Sequence, residues 1–390
     1  MERRKRCKTG LLFLQAYWVS LLFFCIYYVV GFVNRTSLFF VSFWKWLGLL
    51  LLVILAESVL FWIGILLVTF SSTQYRLKKR IWWIVFGWIP VLHIFVIGRI
   101  IHIISCEISF EAKKDELNRK RADLQIDRTK YPILMVHGVF FRDSERNNYW
   151  GRIPSELQKN GATVFYGLHH SASSIVDSAT ELNNRILKLV RENGFEKINV
   201  IAHSKGGLDI RYLISNLEAG KYIASLTTIN TPHRGCEFAD YLLGKIPEAQ
   251  KNTVAKIYNA GAKRMGDENP DFLAAVYDLT KKHCEEFNEQ VKDSPDVYYQ
   301  SVGSVQNRAT SGTFPLNFSY LLVERFEKRC DGLVGEQSFP WGEKFTLLTV
   351  KGRRGISHGD MIDLNRENIK GFDVREFYVQ LVSELREKGL

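Results

Sequence analysis

Three long apolar runs lie in residues 1–104, and a series of short apolar runs separated by turn residues fills the rest of the chain. The first run, residues 10–33, follows Arg3-Arg4-Lys5-Arg6. At about 1.5 Å per residue it is long enough to cross a hydrocarbon core about 30 Å thick. It leads into Asn34-Arg35-Thr36-Ser37 and a second run, without the shorter apolar stretch and small-residue cleavage site of a signal peptide, so the segment is expected to stay attached. The second run, within residues 38–70, exceeds what a bilayer needs, which puts Trp44, Lys45 and Trp46 at the interface. Glu57 then falls mid-span, and a hydrogen bond between helices is its expected role.

The third run, residues 81–104, is interrupted by Pro90, His93, Arg99 and His102, and reads as either a kinked span or an interfacial helix. With the N-terminus inside, three spans place the remainder of the chain outside and two leave it in the cytosol. Arg76, Lys78, Lys79 and Arg80 favour three spans, whereas Lys113, Lys114, Arg119, Lys120 and Arg121 pull the other way. The reading adopted is a multi-pass cell-membrane protein with its larger region on the extracellular face.

Residues 105–130 are charge-dense, with Asp115/Arg119 and Glu116/Lys120 spaced as i,i+4 pairs, so a solvated helix or stalk is expected there. The organisation is therefore a membrane region over 1–104 with two or three transmembrane helices, a linker over 105–130 and a larger domain over 131–390. Charge follows the same division. Residues 1–130 hold 19 Lys+Arg against 8 Asp+Glu, and the remainder holds 33 of each, so the whole net charge of +11 sits beside the apolar segments. This fits anchoring against anionic headgroups and argues against nucleic acid as a partner. The six cysteines, Cys7, Cys25, Cys106, Cys236, Cys284 and Cys330, include no Cys-x-x-Cys spacing and offer no zinc or redox motif.

Beyond the linker, short apolar runs at 132–136, 162–166, 198–202, 225–229, 297–302 and 345–350 read as buried strands. Helical periodicity appears between them, clearest over 173–193, where Ile175, Val176, Ala179, Leu182, Ile186, Leu189 and Val190 share a face and Gly194 supplies the stop. Such alternation predicts a mostly parallel sheet with helices on both faces.

The chemistry begins at Ala202-His203-Ser204-Lys205-Gly206-Gly207, between a predicted strand and a predicted helix over 205–217. This is the setting of a nucleophile elbow, where a serine occupies a strained turn and the positions two before and two after it must be small. Ala202 stands where a glycine is usual. A serine hydroxyl attacks only when a histidine takes its proton, and that histidine needs a carboxylate to hold its tautomer. On a sheet of this kind the order is serine, acid, histidine. His358 is the only histidine after the last predicted strand, and Asp331, in Cys330-Asp331-Gly332, lies in the interval expected for the acid. Glu324, Glu327, Glu336 and Glu343 share that interval in charge-rich stretches that read as surface. His137, His203 and His233 read as structural, and His169 and His170 as surface. The oxyanion donors are expected to be the backbone amides of Lys205 and of Val139, the latter in the loop 137–140.

These blocks, together with Gly161-Ala162-Thr163-Val164, Ser225 to Gly235 and His358-Gly359-Asp360, resemble the bacterial triacylglycerol lipases over most of residues 131–365. The resemblance implies an α/β-hydrolase fold, here preceded by transmembrane helices, with Ser204, Asp331 and His358 as triad and Val139 and Lys205 as oxyanion donors. It also implies a helical lid over about 236–291, including a helix opened by Asn269-Pro270 with Phe272, Leu273, Val276, Leu279 and Phe287 on one face. The polar stretch 245–266 argues against bulk fat as the preferred substrate. The family's structural calcium would use Asp360, but the companion position falls at Leu364, which has no donor for a hard cation. The chemistry requires no cofactor. The resulting expectation is a membrane-anchored serine ester hydrolase, a lipase or carboxylesterase acting on a lipid or other acyl ester. An acyltransferase using the same acyl-enzyme, or a non-catalytic scaffold, is the alternative.

Overall fold

Six parallel strands form one sheet in the order β2-β1-β3-β4-β5-β6. They are β1 (Ile133–Val136), β2 (Val164–Tyr166), β3 (Ile198–His203), β4 (Ile223–Ile229), β5 (Tyr298–Ser304) and β6 (Lys344–Leu348). Each falls on one of the six short apolar runs. The computed structural model describes residues 2–87, 89–139, 148–264, 267–312 and 316–390. It divides into two compact units, Met1–Lys120 and Arg121–Leu390, parting within the segment expected as a linker.

In the larger unit, alternate residues of the strands face two apolar layers, because successive strand side chains point to opposite sides. Ile133 and Met135 of β1 and Ile201 of β3 pack with Trp150, Met361, Tyr378 and Val382. Leu134, Val136 and Val200 pack with Leu182, Ile186, Ile210 and Leu213 on the other side. The helix Ile175–Asn193 shows why its sequence is helical. Ser174 caps it by accepting from the Asp177 amide, Ile175, Ala179, Leu182, Ile186 and Leu189 of its apolar stripe are buried while Val176 is exposed, and Gly194 ends it in the left-handed region at φ 69°. The order of the sheet reverses at β1 and β3, so the loops leaving them diverge and open a crevice at the carboxyl ends of the strands.

Between β4 and β5 the described residues form four helices, Glu237–Lys245, Glu248–Arg264, Phe272–Tyr277 and Lys281–Gln290. The single helix expected after Asn269-Pro270 is in fact two. Asp271 caps the first and Thr280 caps the second, and each cap satisfies amides that would otherwise have to continue one helix. After β6 a short turn, His358–Ile362, and the helix Val374–Glu387 close the unit. There the buried Tyr378 hydroxyl donates to the Met361 carbonyl at 2.9 Å.

Among the described residues, three stretches are long and apolar enough to cross a membrane, Glu2–Val33, Phe43–Ser71 and Val91–Leu124, the last ending just past the boundary of the smaller unit at Lys120. Pro90 does not kink a longer helix. It begins the helix Pro90–Arg121, and a separate helix, Leu77–Phe86, precedes it. Proline fits this place because a first-turn residue has no intrahelical partner for the N–H it lacks. The first two helices meet closely at two glycines: a Cβ on Gly10 would come within 2.9 Å of Leu67, and one on Gly64 within 2.9 Å of Leu14. Glu57 receives the expected interhelical hydrogen bond from Ser20 Oγ, at 2.6 Å. Glu107 accepts from the Thr73 amide at 3.0 Å and the Thr73 hydroxyl at 2.8 Å, closing the turn after the second helix.

Replacing Tyr378 with Phe leaves the Met361 carbonyl buried without its donor, and unfolding of the larger unit is expected to cost about 1–3 kcal/mol less in urea titrations followed by circular dichroism.

Candidate active site

Ser204 follows β3 with φ 57°, a left-handed conformation that an L-residue with a side chain adopts only when its surroundings hold it. Those surroundings are hydrogen bonds to its amide and its carbonyl. The Ser204 amide donates to the Ile229 carbonyl at 2.9 Å, and its own carbonyl accepts from Thr231 Oγ1 at 2.8 Å. The turn is also crowded. A Cβ on Gly138 would lie 2.7 Å from Ser204 Cβ, and one on Gly206 would lie 2.5 Å from the His137 carbonyl oxygen. Glycine is therefore required at both positions. Ala202, at the end of β3, is fully buried beside β4, so its methyl has a place in the sheet.

Asp331 and His358 arrive from the loops on either side of β6. The Asp331 carboxylate is wholly buried and has four donors. Oδ1 accepts from the amides of Leu333 at 2.9 Å and Val334 at 2.8 Å. Oδ2 accepts from Asn230 Nδ2 at 2.6 Å, and His358 Nδ1 stands 2.6 Å away. The His358 amide also donates to the Asp331 carbonyl at 2.8 Å, fixing ring and backbone together. This leaves Nε2 as the ring nitrogen able to accept a proton. The His358 ring lies 4.5 Å, centroid to centroid, from the ring of His203, the neighbour of Ser204. His203 itself is tied by Nδ1 to the Tyr149 hydroxyl at 2.7 Å, and burial, followed by the charge of His358, holds its pKa well below the usual histidine range.

Asn230 carries no signal in the sequence motif, yet it links β4 to the acid. It sits directly after the strand with φ 50°, and its side-chain amide reaches both Ser304 Oγ at 2.7 Å and Asp331. Its position at the carboxyl end of a strand was the available clue.

For the oxyanion, Lys205 stands at the N-cap of the helix Gly206–Asn216, where backbone amides and the helix dipole both favour negative charge. On the facing loop the Gly138 amide donates to the Tyr149 hydroxyl at 3.3 Å, and Val139 follows it and lines the same small cavity as Ser204. Phe140, at the end of that loop, lies outside the described residues. The Lys205 side chain has a role that sequence reasoning missed. Its Nζ, buried, donates to Asp209 Oδ1 at 2.6 Å and Ser178 Oγ at 2.9 Å. Burial pushes the Asp209 carboxyl up to about 7 against the opposing pull of Lys205. His169, expected at the surface, is buried 3.8 Å from Asp209 and stacks on His137 with ring centroids 4.0 Å apart. Both loops that carry the expected oxyanion amides therefore rest on one polar cluster.

Asp360 does not present a calcium site. Its two oxygens face Arg354 at 2.8 and 3.0 Å, and Oδ2 also accepts from the Ser357 amide and hydroxyl at 2.8 and 2.7 Å. A guanidinium already neutralises the carboxylate, and among the described residues no cluster of three His, Cys, Asp or Glu side chains could hold a metal. The residues present do not fit the family's structural calcium, as the lack of a donor at Leu364 already argued.

Ser204 opens onto a cavity of about 30 Å³ bounded by Val139, Pro232, Phe238, Val276, Leu279 and Leu333. That volume holds a water or two but no acyl chain. The helices Glu237–Lys245 and Phe272–Tyr277 form its cover, through Ala239, Leu242, Phe272 and Val276 packed on Val139, Leu333 and Val334.

No family model matches the chain. A triacylglycerol lipase of Pseudarthrobacter phenanthrenivorans is 33% identical over 198 residues, which cover 47% of this chain and 60% of the relative, so the chain spans less than two thirds of that protein. Triacylglycerol lipase 2 of Saccharomyces cerevisiae is 32% identical over 256 residues, covering 62% of this chain and 74% of the relative. Among solved structures, a metagenomic carboxyl esterase superposes with a TM-score of 0.52 at 12% identity, over 67% of this chain and 76% of that one. At that identity the likeness is one of fold, and the fold is that of the α/β-hydrolases.

Two outcomes follow from this geometry. Asn230→Ala removes one donor from a buried carboxylate, and kcat for ester hydrolysis is expected to fall about tenfold with KM little changed, as steady-state kinetics would read. Incubation with EGTA is expected to leave thermal stability and ester turnover unchanged, whereas Arg354→Ala lowers both by releasing Asp360 and the turn that carries His358.

Proposed function

Because the chain belongs to the triacylglycerol lipase family, we propose that it is a membrane-anchored serine hydrolase of carboxylic esters that acts on acyl lipids. The observation that carries this reading is the buried Asp331–His358 pair, 2.6 Å apart, with the His358 ring 4.5 Å from that of His203, the residue before Ser204 in its strained strand-to-helix turn. Ser204 Oγ attacks the ester carbonyl as His358 Nε2 takes its proton, and Asp331 holds the proton on Nδ1 and stabilises the imidazolium. The amides of Val139 and Lys205 receive the charge that develops on the carbonyl oxygen. Collapse expels the alcohol with the proton returned by His358. Water then repeats the sequence on the acyl-enzyme and releases the fatty acid.

Binding of an acyl chain requires the covering helices to move, since the cavity at Ser204 is too small for one. Three apolar stretches support insertion into a bilayer, so that the substrate is drawn from the membrane in which the enzyme sits. Three passes with an inside N-terminus put the catalytic unit on the extracellular face.

The test is hydrolysis of short- and long-chain acyl esters by detergent-solubilised full-length protein. Ser204→Ala is expected to lower kcat at least a thousandfold and to abolish labelling by a fluorophosphonate. Turnover that survives the substitution, or a wild type that neither hydrolyses esters nor takes up the phosphonate, overturns the reading. Protease added to intact cells is expected to release the catalytic unit; protection until the membrane is opened reverses the topology.

A further inference from the structure

Beyond their contacts at Gly10 and Gly64, the helices Glu2–Val33 and Phe43–Ser71 leave a groove of about 740 Å³ between them, bounded by Tyr17 and Val33 on the first and by Trp46 and Phe61 on the second. Its walls are almost entirely apolar, and Glu57 is the one charged residue that lines it. Glu57 is 8% exposed. Ser20 satisfies Oε1, but Oε2 is buried without a hydrogen-bond partner. Glu57 stands at the centre of a 29-residue helix, about 20 Å from either end, where a spanning helix offers it no water. A buried polar oxygen at that depth calls for a partner.

The chemistry of the groove narrows what that partner can be. No Lys, Arg or His lines it, so it does not match a phosphate or a carboxylate. A cationic amine matches Glu57 in sign but is costly to bring to the bilayer centre. A transmembrane helix, 10–12 Å wide with its side chains, is several times too large. The volume and apolar lining are those of a small-ligand site. A hydroxyl can donate to Oε2 when the carboxyl is ionised and accept from it when it is protonated, and a lipid with an uncharged head can reach that depth.

We propose that this groove is an intramembrane binding site for a neutral lipid with a free hydroxyl, a diacylglycerol, whose hydroxyl meets Glu57 Oε2 while an acyl chain lies along Leu21, Val29 and Val53. The choice of diacylglycerol rests on the hydrolase reading, because removing one acyl group from a triacylglycerol leaves this lipid. The hydroxyl site itself rests only on membrane insertion.

The experiment uses full-length Ser204→Ala protein, which leaves the ligand intact, in phosphatidylcholine vesicles containing a diacylglycerol with a diazirine in one acyl chain. Photolysis and mass spectrometry are expected to place label within residues 17–33 or 46–61. Glu57→Leu should reduce it about tenfold, Glu57→Gln should retain most of it because an amide also donates and accepts, and Leu50→Trp should reduce it by filling the groove. Phosphatidylcholine with the same diazirine should show no dependence on Glu57. Label in the groove that ignores both Glu57→Leu and Leu50→Trp, or phosphatidylcholine that labels it with the same dependence, overturns the site. Extraction of the protein by alkaline carbonate overturns membrane insertion instead. Specific labelling of a protein whose wild type hydrolyses no ester leaves the hydroxyl site standing and removes the reaction as the lipid's source.

Discussion

A carboxylate withdrawn from water must be given donors in place of the solvent it loses, or its burial destabilises the fold by several kcal/mol. Asp331 is wholly buried, and its four donors come from its own turn, from the end of β4 and from the loop after β6. Meeting this one requirement brings three connections of the sheet to the same point and orients His358. The Asp331–His358 pair is thus a folding constraint as well as part of the proposed chemistry. Asn230 shows the overlap most clearly, since the side chain that holds the acid also ties β4 to β5 through Ser304.

Ser204, the proposed nucleophile, poses the complementary problem, because its strain must be held by its neighbours. Glycines at 138 and 206 let backbones pass where a methyl would collide, and hydrogen bonds to Ile229 and Thr231 hold the turn in its sparse conformation. Behind the turn, Lys205, Asp209, Ser178 and His169 form a buried polar cluster that a pattern of apolar residues cannot reveal. The apolar covering helices complete the site from outside. They leave so little space at Ser204 that access by a long acyl chain is a question of helix movement rather than of pocket shape.

Apolar residues do two different jobs in the two units. In the larger one they alternate or follow a helical stripe and end up buried. In the smaller one large apolar side chains such as Phe23, Leu52, Leu66 and Phe70 are exposed all along the helices, as is expected of surfaces that meet lipid rather than water. Against that background a buried, half-satisfied carboxyl is conspicuous, and Glu57 gains a meaning there that it would not have on a water-facing helix.

The order of residues along the chain determined the elements with a strong local signal: apolar runs long enough for a bilayer, six short buried strands, a capped amphipathic helix and a serine turn that demands small neighbours. It also ordered the proposed triad, since in the α/β-hydrolases the acid and the histidine come from loops later than the serine. Local propensity could not decide what depends on neighbours distant in sequence. That Pro90 begins a helix, that Asp271 and Thr280 divide the expected covering helix, that His169 is buried on His137 and that Arg354 pairs with Asp360 are all outcomes of packing and hydrogen-bond satisfaction. Those terms act only once the chain has closed on itself, so tertiary structure alone decided them.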